Sequence, residues 1–340
     1  MESKSTFSPP DLSSAFLKSL RLDLNEPVWE KSPTWCNSPV PWKPNVFHPP
    51  DSASFTINDD ELESPANYRI LDQIGVGGYG SVHRALNLAN QRFYAIKVVV
   101  LNAKRLRKIF MEPRLHARMC HRNVAMLKGA FCTETHLNIV QTFYGGGNLR
   151  DKIKQAHSCR VDPAEAVRYI TQIALGLDHI HRMGVIHRDI KESNIFLLSA
   201  GVPKIGDFGI AKEDDPLGIN TGYGGTRGWM SPEMIQSTPY TYTTDIWSLG
   251  VVCYRLITGK KPFVENDGTT LSERIIVAEY PPSRFLDGAA GDLVEGFLKV
   301  DPSLRIRLSD VCEQPWIQQH VWIRSRHKRH RPALNLKSMN

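Results

Sequence analysis

The most informative part of the chain reads His187-Arg188-Asp189-Ile190-Lys191-Glu192-Ser193-Asn194 and is followed by Asp207-Phe208-Gly209. Asp189 offers a carboxylate that can orient a hydroxyl group and accept its proton. Lys191 can neutralise negative charge on a phosphoryl group while it is transferred. Asn194 and the aspartate of the second stretch offer an amide and a carboxylate oxygen, which suit Mg²⁺. The two stretches therefore predict a phosphoryl-transfer site, with Asp189 and Lys191 catalytic and Asn194 and Asp207 as metal ligands.

A glycine-rich segment lies upstream, Gly75-Val76-Gly77-Gly78-Tyr79-Gly80-Ser81-Val82, between two runs typical of strands. Glycines allow a hairpin backbone to approach phosphates closely. A dinucleotide-binding turn has a similar pattern, but it requires a helix after the glycines and an acidic residue about 20 positions later. A second strand follows here, and no acid occupies that position. We therefore expect Ile74 and the segment Gly75 to Val82 to bind a nucleotide.

A lysine is embedded in the apolar run Tyr94-Ala95-Ile96-Lys97. An ammonium group in such a strand is costly unless it meets an anion. Nucleotide phosphates and Glu112, on the following predicted helix, are the two candidates, and we assign Lys97 and Glu112 to the catalytic group. Pro113 directly follows Glu112 and removes a helical hydrogen bond, so we expect a kink at this point.

The chain changes character near residue 65. Residues 1–65 are rich in proline and serine, which favours a disordered tail, and residues 323–340 form a basic tail. Between the tails, strands are predicted over 68–74, 81–86, 94–101 and 137–142, with a helix over 103–119. Beyond Asn148 the pattern is mostly helical, notably over 163–183. The predicted class is α+β, with a small antiparallel-sheet lobe that carries one helix, a larger helical lobe and a ligand cleft between them.

The composition excludes several other classes. The net charge is +7 and the pI is near 9.0, but the excess is concentrated in Lys104–Lys108 and Arg324–Arg331. Such local clusters favour solvated basic faces, while docking of a phosphosite or an acidic partner and nuclear import stay open, and we expect no nucleic-acid partner. The six cysteines are scattered, and no apolar run reaches the roughly 20 residues of a membrane span. We expect no membrane partner and an intracellular location, cytoplasmic, nuclear or both.

From about Tyr68 to Ile317 the chain resembles a eukaryotic protein kinase catalytic domain of the serine/threonine type, with the family's motifs in order. Asn194–Leu197 and Lys204–Ala211 are similar to NIMA-related kinases, and polo-like kinases share part of this pattern. The resemblance implies a bilobal fold over 68–317, ATP and Mg²⁺ as cofactors, and transfer of the γ-phosphoryl group to serine or threonine hydroxyls of protein substrates.

The resemblance also implies roles for single residues. Val82, Ala95 and Phe196 would enclose adenine. Thr226 would bond Asp189, and together with Lys191 it favours serine or threonine acceptors, although dual specificity stays open. Further implied positions are the gatekeeper Gln141, Phe143 in the hinge, Asn148 near the ribose, Glu233 paired with Arg305, and Asp245 bracing the catalytic loop.

Regulation is expected at the segment from Asp207 to Glu233, which is rich in glycine. Arg188 can bind a phosphate there, and we assign Thr221 as the activating site for an upstream kinase. Two other readings stay open: a catalytically inactive relative that serves as a binding scaffold, and a small-molecule kinase. An inactive relative usually lacks the lysine, the catalytic aspartate or a metal ligand, whereas Lys97, Asp189, Asn194 and Asp207 are all present here, which favours the enzyme.

Overall fold

A computed structural model describes residues 65–77, 80–215, 217–265 and 268–320. The predicted N-terminal tail up to residue 64, the C-terminal basic tail, Gly78 and Tyr79 lie outside the described residues. The described chain divides into two units. The first comprises residues 65–109 and 127–142, and the second comprises residues 110–126 and 143–320.

The first unit is an antiparallel sheet in the order β1-β2-β3-β5-β4. Its strands are β1 (Tyr68–Gly77), β2 (Gly80–Asn87), β3 (Phe93–Val100), β4 (Leu127–Cys132) and β5 (His136–Thr142). Because side chains alternate between the two faces of a strand, one face collects the apolar cluster. This cluster contains Tyr68, Ala85, Tyr94, Ile96, Phe131 and Val140. The sheet therefore has one apolar core face.

The helix that carries Glu112 is continuous across a proline. Helix α1 (Leu106–Ala117) follows a 3₁₀ turn over Ala103–Arg105, which Asn102 caps by accepting from the Lys104 N–H at 3.0 Å. Pro113 lies inside α1 and is buried. A proline costs the helix one hydrogen bond, but here it does not end the helix.

The second unit is mainly helical. It contains α2 (Leu149–Gln155), α3 (Pro163–Arg182), α4 (Pro232–Ile235), α5 (Thr243–Thr258), α6 (Leu271–Ile276) and α7 (Ala289–Phe297). Two small antiparallel pairs complete it: β6 (Val185–Ile186) with β9 (Lys212–Glu213), and β7 (Ile195–Leu197) with β8 (Pro203–Ile205). The sheet-rich and helical units confirm the predicted α+β class.

Two helices organise the core of the second unit. Helix α3 begins where Asp162 accepts from the Ala164 N–H at 2.9 Å, and Pro163 occupies its first position, where a missing N–H costs nothing. Helix α5 is buried on almost every side, including at Asp245 and Ser248. Among the described residues, no helix combines the length and apolar character needed to cross a membrane.

A buried ion pair ties α4 to the C-terminal part of the unit. Glu233 binds Arg305 through two parallel bonds of 2.6 and 2.7 Å, and this confirms the predicted pair. Arg305 also donates to the carbonyl groups of Lys299 (2.9 Å) and Thr243 (3.0 Å), and its guanidinium lies 5.2 Å from the centre of the Trp247 ring. Every charge in this pair therefore has partners.

We predict that Glu233→Gln lowers the free energy of unfolding by about 3–5 kcal/mol, because it leaves the buried Arg305 charge uncompensated. Urea unfolding followed by tryptophan fluorescence measures this change. The matched control is Glu295→Gln, which breaks an exposed pair with Lys299 (2.5 Å; Glu295 is 61% exposed). We expect the control to change stability by less than about 1 kcal/mol, and equal effects of the two variants would contradict the prediction.

Candidate active site

In the first unit, the residues predicted to contact a nucleotide share one face of the sheet. Val82 is directly opposite Lys97 on the neighbouring strand, and Ala95 is opposite Gln141. Residues paired across strands point to the same face, and Ala95 and Lys97 are two apart on β3. This face is opposite to the one that carries the apolar cluster. The glycine-rich segment spans the end of β1 and the start of β2, where Gly75 pairs with Val82 and Gly77 with Gly80.

In the second unit, Asp189 is the centre of a hydrogen-bond network. Its Oδ1 accepts from the Thr226 hydroxyl at 2.7 Å, as the resemblance implied. Its Oδ2 accepts from the Lys191 ammonium at 2.6 Å and from the Asn194 amide at 2.9 Å. The Asp189 side chain is 12% exposed, so solvent still reaches it. The carboxylate is thus held by three donors and remains accessible.

A second, fully buried carboxylate holds the loop before Asp189. Asp245, on α5, accepts from the backbone N–H of His187 (2.8 Å) and of Arg188 (2.7 Å) and from the His181 ring (2.9 Å). Burial favours the protonated form, but the hydrogen bond and electrostatic interaction with His181 and the contacts with His187 outweigh it and lower the pKa of Asp245. These bonds also hold Arg188 at a φ of 66°, a strained left-handed conformation. The predicted bracing role of Asp245 is confirmed by this geometry.

The oxygen atoms of Asn194 and Asp207 form a donor set that fits Mg²⁺. Asn194 Nδ2 donates to both the carbonyl and Oδ2 of Asp189 at 2.9 Å, which orients the amide and leaves its Oδ1 directed away from Asp189. The Gly206 N–H donates to the Asn194 carbonyl at 2.9 Å and so brings Asp207 beside Asn194. Gly206 must lack a side chain, because a Cβ would lie 2.6 Å from the Phe196 ring. One amide oxygen and one carboxylate suit a hard cation that keeps water and phosphate as its other ligands.

The segment that carries Thr226 packs directly against the loop of residues 187–194, which contains Asp189 and which we call the catalytic loop. Lys191 donates to the Thr226 hydroxyl at 2.8 Å as well as to Asp189. Gly225 has a φ of 116°, and a Cβ at this position would lie 2.6 Å from the Arg188 carbonyl oxygen. Glycine is the residue that allows both this conformation and this approach.

Arg188 links the same loop to Thr221. Its Nε donates to the Ile210 carbonyl at 2.7 Å, its Nη2 donates to the same carbonyl, and its Nη1 donates to the Tyr240 hydroxyl at 2.9 Å. Tyr240 in turn donates to the Thr221 carbonyl at 3.3 Å, while the Thr221 residue is exposed. Sequence reasoning did not predict Tyr240 or His181 as parts of the site.

The remaining predicted residues have local roles that the structure describes. Asn148 caps α2, with its Oδ1 accepting from the Asp151 N–H at 3.0 Å, and its contact with ribose stays a prediction. The Phe196 ring, on β7, lies 6.2 Å from the Tyr144 ring. Glu112 is buried in the second unit, whereas Lys97 and Gln141 belong to the first and Phe143 follows β5. The pairing of Lys97 with Glu112 stays a prediction.

Comparison with known proteins places this site in a family. The family model described as a protein kinase domain matches residues 68–317. The chain is 31% identical over 276 residues to an Aurora kinase of Debaryomyces hansenii, covering 77% of this chain and 66% of the relative. It is 31% identical to Aurora kinase C of Mus musculus over 78% of this chain and 94% of the relative. It is also 34% identical to the mouse serine/threonine-protein kinase Nek3, over 70% of this chain and 47% of the relative.

The chain therefore belongs to the protein kinase family. Nek3 is named as a serine/threonine-protein kinase, which agrees with the implied type, and it also agrees with the resemblance to NIMA-related kinases. The chain spans just under two thirds of the Debaryomyces relative and about half of Nek3.

We predict that Asp245→Asn lowers the free energy of unfolding at pH 7 by about 3 kcal/mol, because an amide cannot accept from all three buried donors. The wild-type pKa is below its ordinary value of 3.8, so this stabilisation is complete above that pH and is lost as the pH falls through the folded-state pKa. The stability difference between the two proteins should therefore narrow below about pH 4. Denaturant unfolding across pH 3 to 7 measures it.

The control is Asp178→Asn on α3, whose pKa burial raises despite the partner Arg182. A raised carboxyl pKa gives no stabilisation of the charged form, so this variant should be neutral or slightly stabilising at pH 7. The same loss in both variants would contradict the role given to Asp245.

Proposed function

We propose that this chain is an active protein serine/threonine kinase that transfers the γ-phosphoryl group of ATP to protein hydroxyls. The observation that carries the proposal is the Asp189 carboxylate, held by Thr226, Lys191 and Asn194 at 2.6–2.9 Å. An ionised carboxylate offers roughly four lone-pair positions, so three donors leave one for the hydroxyl of a substrate.

The proposed chemistry uses this remaining position. ATP with Mg²⁺ supplies the transferable phosphoryl group. Asp189 orients the acceptor hydroxyl and takes up its proton. At the same time the hydroxyl oxygen bonds to the γ-phosphorus and the bond from that phosphorus to the leaving group, ADP, breaks. Lys191, already fixed against Asp189 and Thr226, stabilises the charge that develops on the phosphoryl oxygens. Thr226 narrows the space beside Asp189, which favours short acceptor side chains.

The binding groups are proposed on the same basis. Asn194 Oδ1 and the Asp207 carboxylate would hold Mg²⁺, since their chemistry suits it. Lys97 would bind nucleotide phosphates and pair with Glu112. The sheet face that carries Val82, Ala95 and Gln141, with the glycine-rich segment and Phe196, would hold the nucleoside, and we propose residues 68–317 as the catalytic domain.

Asp189→Asn is predicted to lower kcat by about 10²–10⁴-fold, because the amide cannot accept the proton. The assay measures transfer from radiolabelled ATP with Mg²⁺ to one basic and one acidic generic protein. The control is Asp287→Asn, at an exposed loop position with no contact to this network. Wild-type protein phosphorylated at Thr221 that still shows no Asp189-dependent transfer would reject the proposal in favour of a binding scaffold.

Thr221 is proposed as the site at which an upstream kinase activates the enzyme. Its backbone is one hydrogen bond from Tyr240, which contacts the Arg188 guanidinium, so a phosphate on Thr221 would have a cation within the same network. A phosphate adds charge and strong acceptor oxygens that can order a segment containing several glycines.

Thr221→Ala is predicted to lower the kcat of enzyme prepared with its activating kinase by about tenfold, since one charge-assisted bond is lost. Phosphopeptide mapping of the active protein should locate phosphate on Thr221. The matched control, Tyr223→Phe, removes another exposed hydroxyl of the same segment and should retain activity. Active enzyme without phosphate on Thr221 would refute this site.

A further inference from the structure

Three buried polar atoms beside the catalytic loop make no hydrogen bond of good geometry. Among the described residues, these are Glu192 Oε1, Trp229 Nε1 and Arg255 Nε, although the Trp229 indole is close enough to Glu192 to act on it as a weak donor. Most buried polar atoms in folded proteins are paired, so such a concentration needs an explanation. Together with Lys261 these residues form what we call the Glu192 cluster.

The charged groups of the cluster interact electrostatically, but the hydrogen bonds between them are long or missing. Glu192 is 1% exposed, and its Oε2 is 3.4 Å from Arg255 Nη1, long for a charge-assisted bond. Lys261 Nζ lies 5.3 Å from the centre of the Trp229 ring. Burial raises the pKa of Glu192, whereas the charge of Arg255, a backbone N–H, the charge of Lys261 and a weak hydrogen bond from the Trp229 indole oppose that rise. The cluster holds two cations and one carboxyl group, so an anion would meet a net positive charge.

The cluster is within reach of a substrate bound at Asp189. Glu192 is three residues after Asp189, and Trp229 is three residues after Thr226, which bonds Asp189. A chain spans at most about 3.6 Å per residue, so each Cα lies within about 11 Å of the corresponding Cα in the Asp189 network. An extended substrate advances about 3.3 Å per residue, so its second or third residue from the acceptor can reach the cluster.

The two cations of the cluster are more accessible than its carboxyl group. The Arg255 side chain is 13% exposed, although its Nε is buried without a hydrogen-bond partner among the described residues, and Lys261 is exposed. Glu192 is much less accessible than either cation. A basic substrate side chain would have to displace Arg255 from Glu192, whereas an acidic one can bind both cations without breaking any bond.

We propose that the Glu192 cluster is a specificity site for protein substrates with an anionic side chain two or three residues from the accepting hydroxyl. This inference rests on the proposed kinase activity. Arg255 and Lys261 bind the anionic group, and Glu192 and Trp229 position the two cations. The ligand chemistry is a carboxylate or a phosphorylated side chain.

Steady-state kinetics with matched peptides tests the proposal on the full-length, phosphorylated enzyme. Each peptide carries one serine acceptor and differs at a single position, two or three residues to either side, which holds Asp, phosphoserine, Asn or Lys. We expect kcat/KM to be about tenfold higher for an anionic residue than for Asn at one of these positions, in keeping with one new charge-assisted bond. The Asp and phosphoserine arms distinguish the two sources of the anion.

Two variants and a control test whether the preference for anionic peptides depends on the Glu192 cluster. Lys261→Gln and Arg255→Gln should each reduce the anionic-to-neutral ratio to about threefold or less, as expected when one of two cations is removed. Lys260→Gln removes the adjacent exposed lysine, which is not over Trp229, and should keep the wild-type ratio. Lys261 is exposed, so its variant tests the proposal even if Arg255→Gln fails to fold.

The outcomes separate this inference from the proposed function. Equal kcat/KM for anionic and neutral peptides, a preference for Lys, or an unchanged ratio in both variants would overturn the specificity site while kinase activity stands. A wild-type enzyme that phosphorylates no peptide or protein in an Asp189-dependent manner would overturn both.

Discussion

The structure of the catalytic loop depends on one buried carboxylate. Asp245 lies on a helix that is buried almost all round, and it binds the backbone N–H groups of His187 and Arg188. A buried charge is tolerated only when its acceptor positions are filled, and here two backbone donors and one ring nitrogen fill them. In return, Arg188 is held in a backbone conformation that it would rarely adopt alone. The direction of Asp189, one residue later, follows from that constraint.

The segment that carries Thr226 is anchored at both ends by arginines. Near its start, Arg188 binds the Ile210 carbonyl, and at its end Arg305 binds Glu233. Between these anchors lie glycines at positive φ, including Gly218, Gly222 and Gly225. The backbone of Gly225 lies against the Arg188 carbonyl of the catalytic loop, whereas the backbone around Thr221 is held through Tyr240. The anchors explain how a glycine-rich segment can present Thr226 to Asp189 at 2.7 Å.

Sequence patterns predicted those features whose partners are near in sequence or required by the chemistry. The residues around Asp189, the Gly75–Val82 segment and the buried periodic face of α3 belong to this group. Strand β4 was not predicted, because Leu127–Cys132 contains Gly129 and no β-branched residue. His181, Tyr240 and the contact of Glu192 with Arg255 were also missed, since each acts on a residue more than 50 positions away. No local pattern records such contacts. The first turn of the helix predicted over 103–119 is a 3₁₀ turn, so α1 begins only at Leu106.

Some residues of the catalytic loop have all their hydrogen-bond partners within the protein, and others do not. We relate the first group to phosphoryl transfer and the second to substrate recognition. Asp189, Lys191 and Asn194 have already made their bonds to one another, so their geometry needs no reorganisation when a substrate arrives. Glu192 lies between Lys191 and Asn194 in the sequence, yet it and Arg255 retain unpaired atoms. A buried group that lacks a partner discriminates strongly between ligands that supply one and ligands that do not. In our proposals, residues of the same short loop therefore serve two purposes: the bonded ones direct phosphoryl transfer, and Glu192 helps to select the protein substrate.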